Sequence, residues 1–547
     1  MCLYTFCRSL LLVGHKYLTE MRKGKSAGDA KSSSMSWGAL IVLCIACFIL
    51  VFDTTAMSVA INDLVVDLDT DISTIQAVMA IYTLVMASMM LMGAKLGDMY
   101  GRKKVFLIGV AVYGVGTATA ALSPNVVVLL TGWSLIEGCA AAAMLPATMA
   151  LLASSYPDPK HRATAFAIYG GITAAGAAVG PMLGGFIISE LSWRWVFAGE
   201  LILVVVILIC SHMLKEVEID ASKRLSMDII GVIISASSFV LIILAFLNAG
   251  SGLLIVPVML VLGITLFVCF KLWTERRKRR NKTPLLDFEI FKSKTFSFGN
   301  ASQMTLNLAL MGTLFILPVY MQQVLHYTAV QTGIYLIPLS FSILIISFVT
   351  GPISQEFNNK YLLLFGIIIA AIGVFVLQNL FSGPEIVTGS DLAIGLTIYG
   401  VGIGFVLALL GNMLISAVPD DKQNEGSGMI NTVRNLGFSM GTAIIGTVLV
   451  AFMLSGIATG VMTSDVIQVD MPKDELVAEL HDYAQKMQAE HATIDLSKYP
   501  EEKVNEFKRI VHSATQSAMK QSFLVIFIIL VVTLIFALFI PGKKKLG

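Results

Sequence analysis

Apolar runs of about twenty residues, separated by short polar connections, recur along the whole chain, about fourteen in all. They fall near 37–60, 75–97, 104–122, 126–153, 165–188, 195–214, 229–247, 252–272, 300–323, 332–354, 361–381, 391–418, 429–454 and 521–541. Each is long enough to cross a hydrocarbon core roughly 30 Å thick as a helix. Basic residues sort the connections. Arg22, Lys23 and Lys25 precede the first run, and Arg102, Lys103 and Lys104 lie between the second and third. Lys160 and Arg162 follow the fourth, Lys223 and Arg224 the sixth, and Lys543 to Lys545 close the chain. The alternate short loops are nearly free of Lys and Arg, and the first of them carries Asp63, Asp67, Asp69 and Asp71. The positive-inside rule then puts both termini in the cytoplasm, as an even number of spans requires.

Composition agrees. Of 547 residues, 56% are hydrophobic and only 14% charged, and mean hydropathy is +0.81. Soluble domains carry nearer a quarter charged residues, so the pattern predicts an all-α polytopic membrane protein. The net charge of +2 says little, because charge is distributed by loop. The seven cysteines suggest neither a disulfide framework nor a zinc site, and Cys44 and Cys47 fall inside an apolar helix. No metal or cofactor is expected. The seven histidines are scattered and none sits mid-span, which disfavours a membrane-embedded enzyme. The chain carries no phosphate-loop string, which disfavours drive by ATP. At the start, Met1 to Glu20 makes a poor signal peptide, and Met21 opens a more typical lead-in.

Two segments lie outside the spans. Lys271 to Lys294 is strongly basic and then amphipathic through Leu285, Leu286, Phe288, Ile290 and Phe291. It reads as a cytoplasmic linker helix near anionic lipid and not as a nucleic-acid site. The stretch 456–520 carries two amphipathic patterns, Leu476, Leu480, Tyr483 and Met487, then Val504, Phe507, Ile510, Val511 and Ala514. It reads as an outer helical hairpin.

Two glycine strings stand out. Gly176, Gly180 and Gly184 repeat every four residues, so they bare one face of a helix for close packing, with Gly185 beside them and Pro181 as a break in the ladder. Gly93, Gly97 and Gly101 bracket Asp98 and Arg102 in Gly93-Ala-Lys-Leu-Gly97-Asp98-Met-Tyr-Gly101-Arg102-Lys103-Lys104. Asp98 and Arg102 are one turn apart. They suit a pair, or an acid facing a helix N-terminus with the arginine on a partner carboxylate. Such a set can latch one conformation and release it in another.

These strings resemble the signatures of the major facilitator superfamily, and within it the fourteen-span drug:proton antiporter family. The 93–104 loop is similar to the superfamily signature between spans two and three, and 176–185 to the antiporter signature in span five. Phe52-Asp53-Thr54-Thr55-Ala56-Met57-Ser58-Val59-Ala60 resembles the family's LDxTxxNxA pattern, and Trp193 to Phe197 its WRWIF string. Pro284 to Phe288 and Pro419 to Gly437, with Arg434, look like later landmarks. The second-half copy of the loop signature, 351–360, has lost its acid and arginine.

The resemblance implies a tail (1–36), a six-helix bundle (37–214), two inserted spans with the basic linker (215–299), and a second six-helix bundle (300–547) that includes the outer hairpin. It implies alternating access around a midplane site.

Charged residues within the spans are the functional candidates, because burying them in lipid is costly. Asp53, deep in the first span, should bind and release a proton near neutral pH, and it matches the family's first-span acid. Glu137 departs from the family's RxxQG string, in which Ser134 replaces the arginine and Glu137 the glutamine. It is expected to replace that relay or to mark a cationic cargo, and a pairing with Arg434 is open. Glu200 is a third acid, which could instead pair with Arg194.

The expectation is a monomeric, proton-coupled exporter in the cell membrane, carrying hydrophobic, cationic small molecules across the lipid bilayer. Export of a lipid or metabolite is the alternative. A transport-dead sensor is disfavoured by the intact glycine strings.

Overall fold

The computed structural model describes residues 37–215, 227–247, 255–480 and 500–542, apart from 58, 71, 384, 468–470 and 474. The tail with Met21, the basic residues 223–224 and 543–545, and the hairpin tip at 481–499 lie outside the described residues.

Among the described residues every regular element is helical. In chain order these are α1 (Trp37–Met57), the short α2 (Ile61–Asp67), α3 (Ile72–Tyr100), α4 (Arg102–Ala121), α5 (Val126–Ser155), α6 (Pro159–Glu190), α7 (Arg194–Ile209), α8 (Ile229–Leu247) and α9 (Ile255–Arg279). There follow α10 (Lys294–Val319), α11 (Ala329–Glu356), α12 (Asn359–Leu380), α13 (Leu392–Ser416), α14 (Gln423–Met462) and α15 (Glu501–Leu538). Thirteen are long and apolar enough to cross a membrane by length and composition. The 32-residue α6, unbroken through Pro181, makes the fourteenth. The chain is a multi-pass membrane protein.

Helices α1 and α3 to α7 pack as one set and α10 to α15 as another, while α8 and α9 pair with each other and α8 leans on α3 and α14. The two sets meet where α6 packs along α11 and α13, and where α14 crosses α3 and α5. Bare glycine surfaces make these approaches possible. A methyl group added at Gly184 would lie 2.6 Å from Ala56 Cβ, and one at Gly176 3.3 Å from the Phe48 ring. The glycine face of α6 therefore seats α1. Gly101, between α3 and α4, has φ of 99°, a conformation that L side chains rarely adopt.

Two segments differ from the sequence expectation. The basic run Arg276 to Arg279 belongs to α9, and the expected amphipathic linker helix is only a five-residue 3-10 turn, Phe288–Lys292. Leu285, Leu286 and Ile290 are buried in the protein and do not face lipid. At the other end of the molecule, the second amphipathic pattern is not a helix of its own. It is the first third of α15, and it packs through Ile510 and Ala514 on Ile457, Ala458 and Val461 of α14, with Leu476 closing the cluster. An apolar face that finds a neighbour needs no break between membrane and loop.

Candidate functional site

The structure brings three of the four predicted span charges together. Asp53 on α1, Glu137 on α5 and Glu200 on α7 are each at most 1% exposed. Each offers a carboxylate oxygen within 4.8 Å of the others, a spacing that suits a shared proton or a bound cation. The local fold explains the convergence. Residues Leu130–Glu137 form a π-helical stretch, a form common where a span presents functional side chains, and it turns Trp133 and Glu137 inward. Gly116 on α4 makes room, since a methyl group there would lie 2.6 Å from Glu137 Cγ. Ser134, in the position where the resembled family has arginine, donates to the Val78 carbonyl at 2.6 Å.

Aromatic side chains wall the three acids. The Trp133 indole N–H donates to Asp53 Oδ2 at 2.8 Å, and the Tyr113 hydroxyl to Glu200 Oε2 at 3.2 Å. Trp133 sits between Tyr82 and Phe197, with ring centroids 5.7 and 5.8 Å away. Among the described residues neither carboxylate oxygen of Glu137 has a close hydrogen-bond partner, nor does Asp53 Oδ1 or Glu200 Oε1, although Thr117 and Tyr113 stand beside Glu137. No Lys or Arg is ion-paired to the three among the described residues. Glu200 does not pair with Arg194, which bonds Asp67 and the Ser123 carbonyl and lies over the Trp193 ring. Glu137 does not pair with Arg434.

Arg434 stands elsewhere, on the wall of a central cavity of about 240 Å³ between the two helix sets. Leu50, Val51, Thr54 and Thr55 contribute the α1 wall, while Asp53 points to the other side of the helix. On α14 the lining residues Asn431, Arg434, Asn435, Phe438, Ser439 and Thr442 recur at three- and four-residue intervals, a single helical face. Sequence reasoning picked out Arg434 and missed the stripe, although its spacing is readable. Asn307 lines the cavity as well, whereas Gln322, Gln323, Gln378 and Asn412 do not. Among the described lining residues Arg434 is the charged one, and no carboxylate faces the cavity.

The third feature is a polar lock at the end rich in Lys and Arg. Asp98 and Arg102 do not bond each other; both turn to the start of α14. Asp98 accepts from the Asn424 side chain. Arg102 donates to the Asp420 carbonyl at 3.3 Å, to Gln423 Oε1 at 3.5 Å and to the Ala150 carbonyl at 3.4 Å. Lys95, missed from sequence, makes a buried ion pair with Glu425 at 3.1 Å. The other Glu425 oxygen accepts from the Asp287 backbone N–H at 2.9 Å, which ties in the linker. Asp287 in turn bonds Lys422 at 2.6 Å and Lys278 at 2.9 Å. Partial burial raises the Asp287 carboxyl, but the bonds from Lys422, the Glu289 amide and Lys278 outweigh it and hold it down to about 2. Lys95 was legible as a charge inside a span; its partner lies at the far end of the chain.

A family model described as the Major Facilitator Superfamily matches residues 43–256 and 221–442. Among characterised relatives, the chain is 28% identical over 420 residues to the multidrug resistance protein Stp of Mycobacterium tuberculosis (strain CDC 1551 / Oshkosh), covering 76% of each chain. It is 26% identical over 416 residues to the puromycin resistance protein pur8 of Streptomyces alboniger, covering 75% of this chain and 81% of that one. The solved structure of the proton:xylose symporter XylE superposes with a TM-score of 0.59 at 12% identity, over 94% of this chain and 97% of that one.

Proposed function

We propose that this chain, which belongs to the Major Facilitator Superfamily, is a proton-driven exporter of hydrophobic small molecules. It works by alternating access in the cell membrane, with its Lys- and Arg-rich end and both termini in the cytoplasm. It is a transporter and not an enzyme, and the drug-resistance names of its relatives support export.

The observation that carries the reading is the buried acid cluster behind α1. Two like unit charges 4 Å apart repel by about 4 kcal/mol even at an effective dielectric of about 20. Asp53, Glu137 and Glu200 therefore exchange protons as a set, and in the shut protein they hold at least one. When Asp53 is charged, the Trp133 indole stabilises it; when it is protonated, that bond weakens. Either change acts on α1, whose other face lines the cavity and whose seat is the glycine face of α6. Protonation and cargo binding then meet in the position of one helix.

The lock formed by Lys95, Asp98 and Arg102 with the start of α14 supports a conformation shut towards the cytoplasm. Breaking it would admit cargo from inside.

The test is transport in proteoliposomes with an imposed pH gradient. Asp53→Asn is expected to abolish gradient-driven export while leaving the protein inserted and folded. Gradient-driven export at the wild-type rate would remove Asp53 from the coupling role.

A further inference from the structure

We propose that the central cavity selects amphiphilic organic anions, an apolar body carrying one carboxylate or sulfonate, and that Arg434 binds the anionic group. The inference rests on the reading of the cavity as the cargo site and reverses the cationic cargo expected from the span acids.

The charge map of the cavity points this way. Its described lining holds one charged side chain, Arg434, and no carboxylate. Asp53, Glu137 and Glu200 gather on the other side of α1 and are at most 1% exposed, so a cation in the cavity meets none of them. A cationic cargo would face Arg434 instead, at a depth where like charges are poorly screened.

Arg434 is also unspent. No hydrogen bond or ion pair reaches it among the described residues, and its Nε is buried without a partner. Several other buried or half-buried basic groups are engaged, although Arg162, which does not line the cavity, shares the unpartnered buried Nε. Lys95 holds Glu425, Arg277 holds Asp228 at 3.5 Å, and Arg102 holds two backbone carbonyls. Leaving a guanidinium unpaired inside a membrane protein is costly unless something arrives to pair with it. Its planar fork of donors matches a carboxylate or sulfonate.

The neighbouring amides carry no charge and are partly engaged. Gln303 donates to the Ile430 carbonyl at 3.2 Å, Asn307 to the Gln303 carbonyl at 2.7 Å and Asn431 to the Ser427 carbonyl at 2.9 Å. Each bond uses one of the two N–H donors of its amide. Tyr169, on the opposite helix set, lines the same cavity, with its hydroxyl buried and without a close hydrogen-bond partner among the described residues. Phe166, Phe438, Met86 and Met311 supply the apolar remainder, where flexible thioethers tolerate varied ring shapes.

A matched pair of probes tests this without any gradient, so the outcome is separate from the proton-coupling reading. Binding of 1-anilinonaphthalene-8-sulfonate and of N-phenyl-1-naphthylamine, which lacks the sulfonate, is measured by calorimetry on the full chain in lipid nanodiscs. Empty nanodiscs are subtracted, and tetraphenylphosphonium serves as the cation. The wild type is expected to bind the sulfonate at least about tenfold more tightly than the neutral probe. Arg434→Gln is expected to bring that ratio close to one, and Arg434→Lys, which keeps the charge but loses the fork, to leave an intermediate ratio. A wild type that binds the two probes alike, or binds the cation more tightly than the sulfonate, overturns the proposal. So does a ratio that Arg434→Gln does not move. Should Arg434→Gln fail to fold, the wild-type ratio and Arg434→Lys still decide.

Discussion

Asp53 accepts a 2.8 Å hydrogen bond from the Trp133 indole, and the residues beside it in α1, Thr54 and Thr55, line the central cavity. Neighbours in sequence thus serve two compartments. Successive residues on a helix turn by about 100°, so one span can show a dry acid to its own bundle and a cargo wall to the cleft. Competition of proton and cargo for one carboxylate is not available in this arrangement. In the proposed proton-driven cycle, coupling passes through the position of α1 itself.

At the opposite side of the cleft the lock makes a stability prediction. Glu425→Gln leaves Lys95, which is 2% exposed, without its counter-charge. Breaking a buried pair from one side costs about 3–5 kcal/mol, so thermal unfolding in detergent should begin earlier. The lost stability belongs to the shut state. A cysteine placed at Met149 on the cavity wall, in a background without other reactive cysteines, should therefore label faster from the cytoplasmic face. Equal labelling in variant and wild type would mean that the ion pair does not hold the shut state.

The α1–α6 seat predicts a steric defect that can be relieved. Gly184→Ala puts a methyl group 2.6 Å from Ala56 Cβ and 2.8 Å from its Cα. Overpacking of this kind costs about 1–3 kcal/mol, and here it also pushes α1 off its seat. Export should fall while membrane insertion is kept. Adding Ala56→Gly removes one of the two clashes and should restore part of the rate. No recovery in the double variant would separate the glycine face from α1.

Much of this fold was legible because a lipid core demands about twenty apolar residues per crossing. The span positions of α1 and α3 to α13 follow from that demand, and the ends of α14 and α15 do not, because both helices continue past the apolar run to Met462 and from Glu501. Asp53, Glu137 and Glu200 were legible as charges out of place. Their convergence was not, since a span that is apolar on every side carries no periodic signal for which face is inward. That gap also hid the division of labour along α1: Asp53 and Glu137 read as sites for a proton or a cationic cargo, whereas the cavity side of α1 shows threonines and the lining charge is Arg434. The linker failed for a related reason: Leu285 and Leu286 fit a lipid-facing helix as well as a buried turn, and only the Asp287 contacts to Lys422 and Glu425 decide.

The linker clamp has a pH signature. Asp287 is held down to about 2 from an ordinary 3.8, so its contribution is fully present above the ordinary value and is lost as pH falls through about 2. Burial works against the Lys422 ammonium, but its bond to Asp287 prevails and raises it above 10.5; its contribution is present below that value and lost only in stronger base. Hydrogen exchange across 284–292 should thus show the same protection between about pH 4 and about pH 10 once intrinsic rates are removed, and opening in stronger acid. Asp287→Asn should loosen the segment at neutral pH. Loosening of the wild type between about pH 5 and 8 would contradict the clamp.

Glu137 separates coupling from recognition. Its carboxyl is fully buried, does not line the cavity and, among the described residues, has no close hydrogen-bond partner for either oxygen. Glu137→Gln keeps the volume and removes one proton-binding group from the set. A group that meets protons but not cargo should slow gradient-driven export of every cargo by the same factor, at least about tenfold, or about 1.4 kcal/mol of barrier. Rates for 1-anilinonaphthalene-8-sulfonate, N-phenyl-1-naphthylamine and tetraphenylphosphonium, each relative to wild type in the same vesicles, give the comparison. Loss confined to the cation would place Glu137 in contact with cargo, and would mean that the cavity extends behind α1 when the cytoplasmic lock opens.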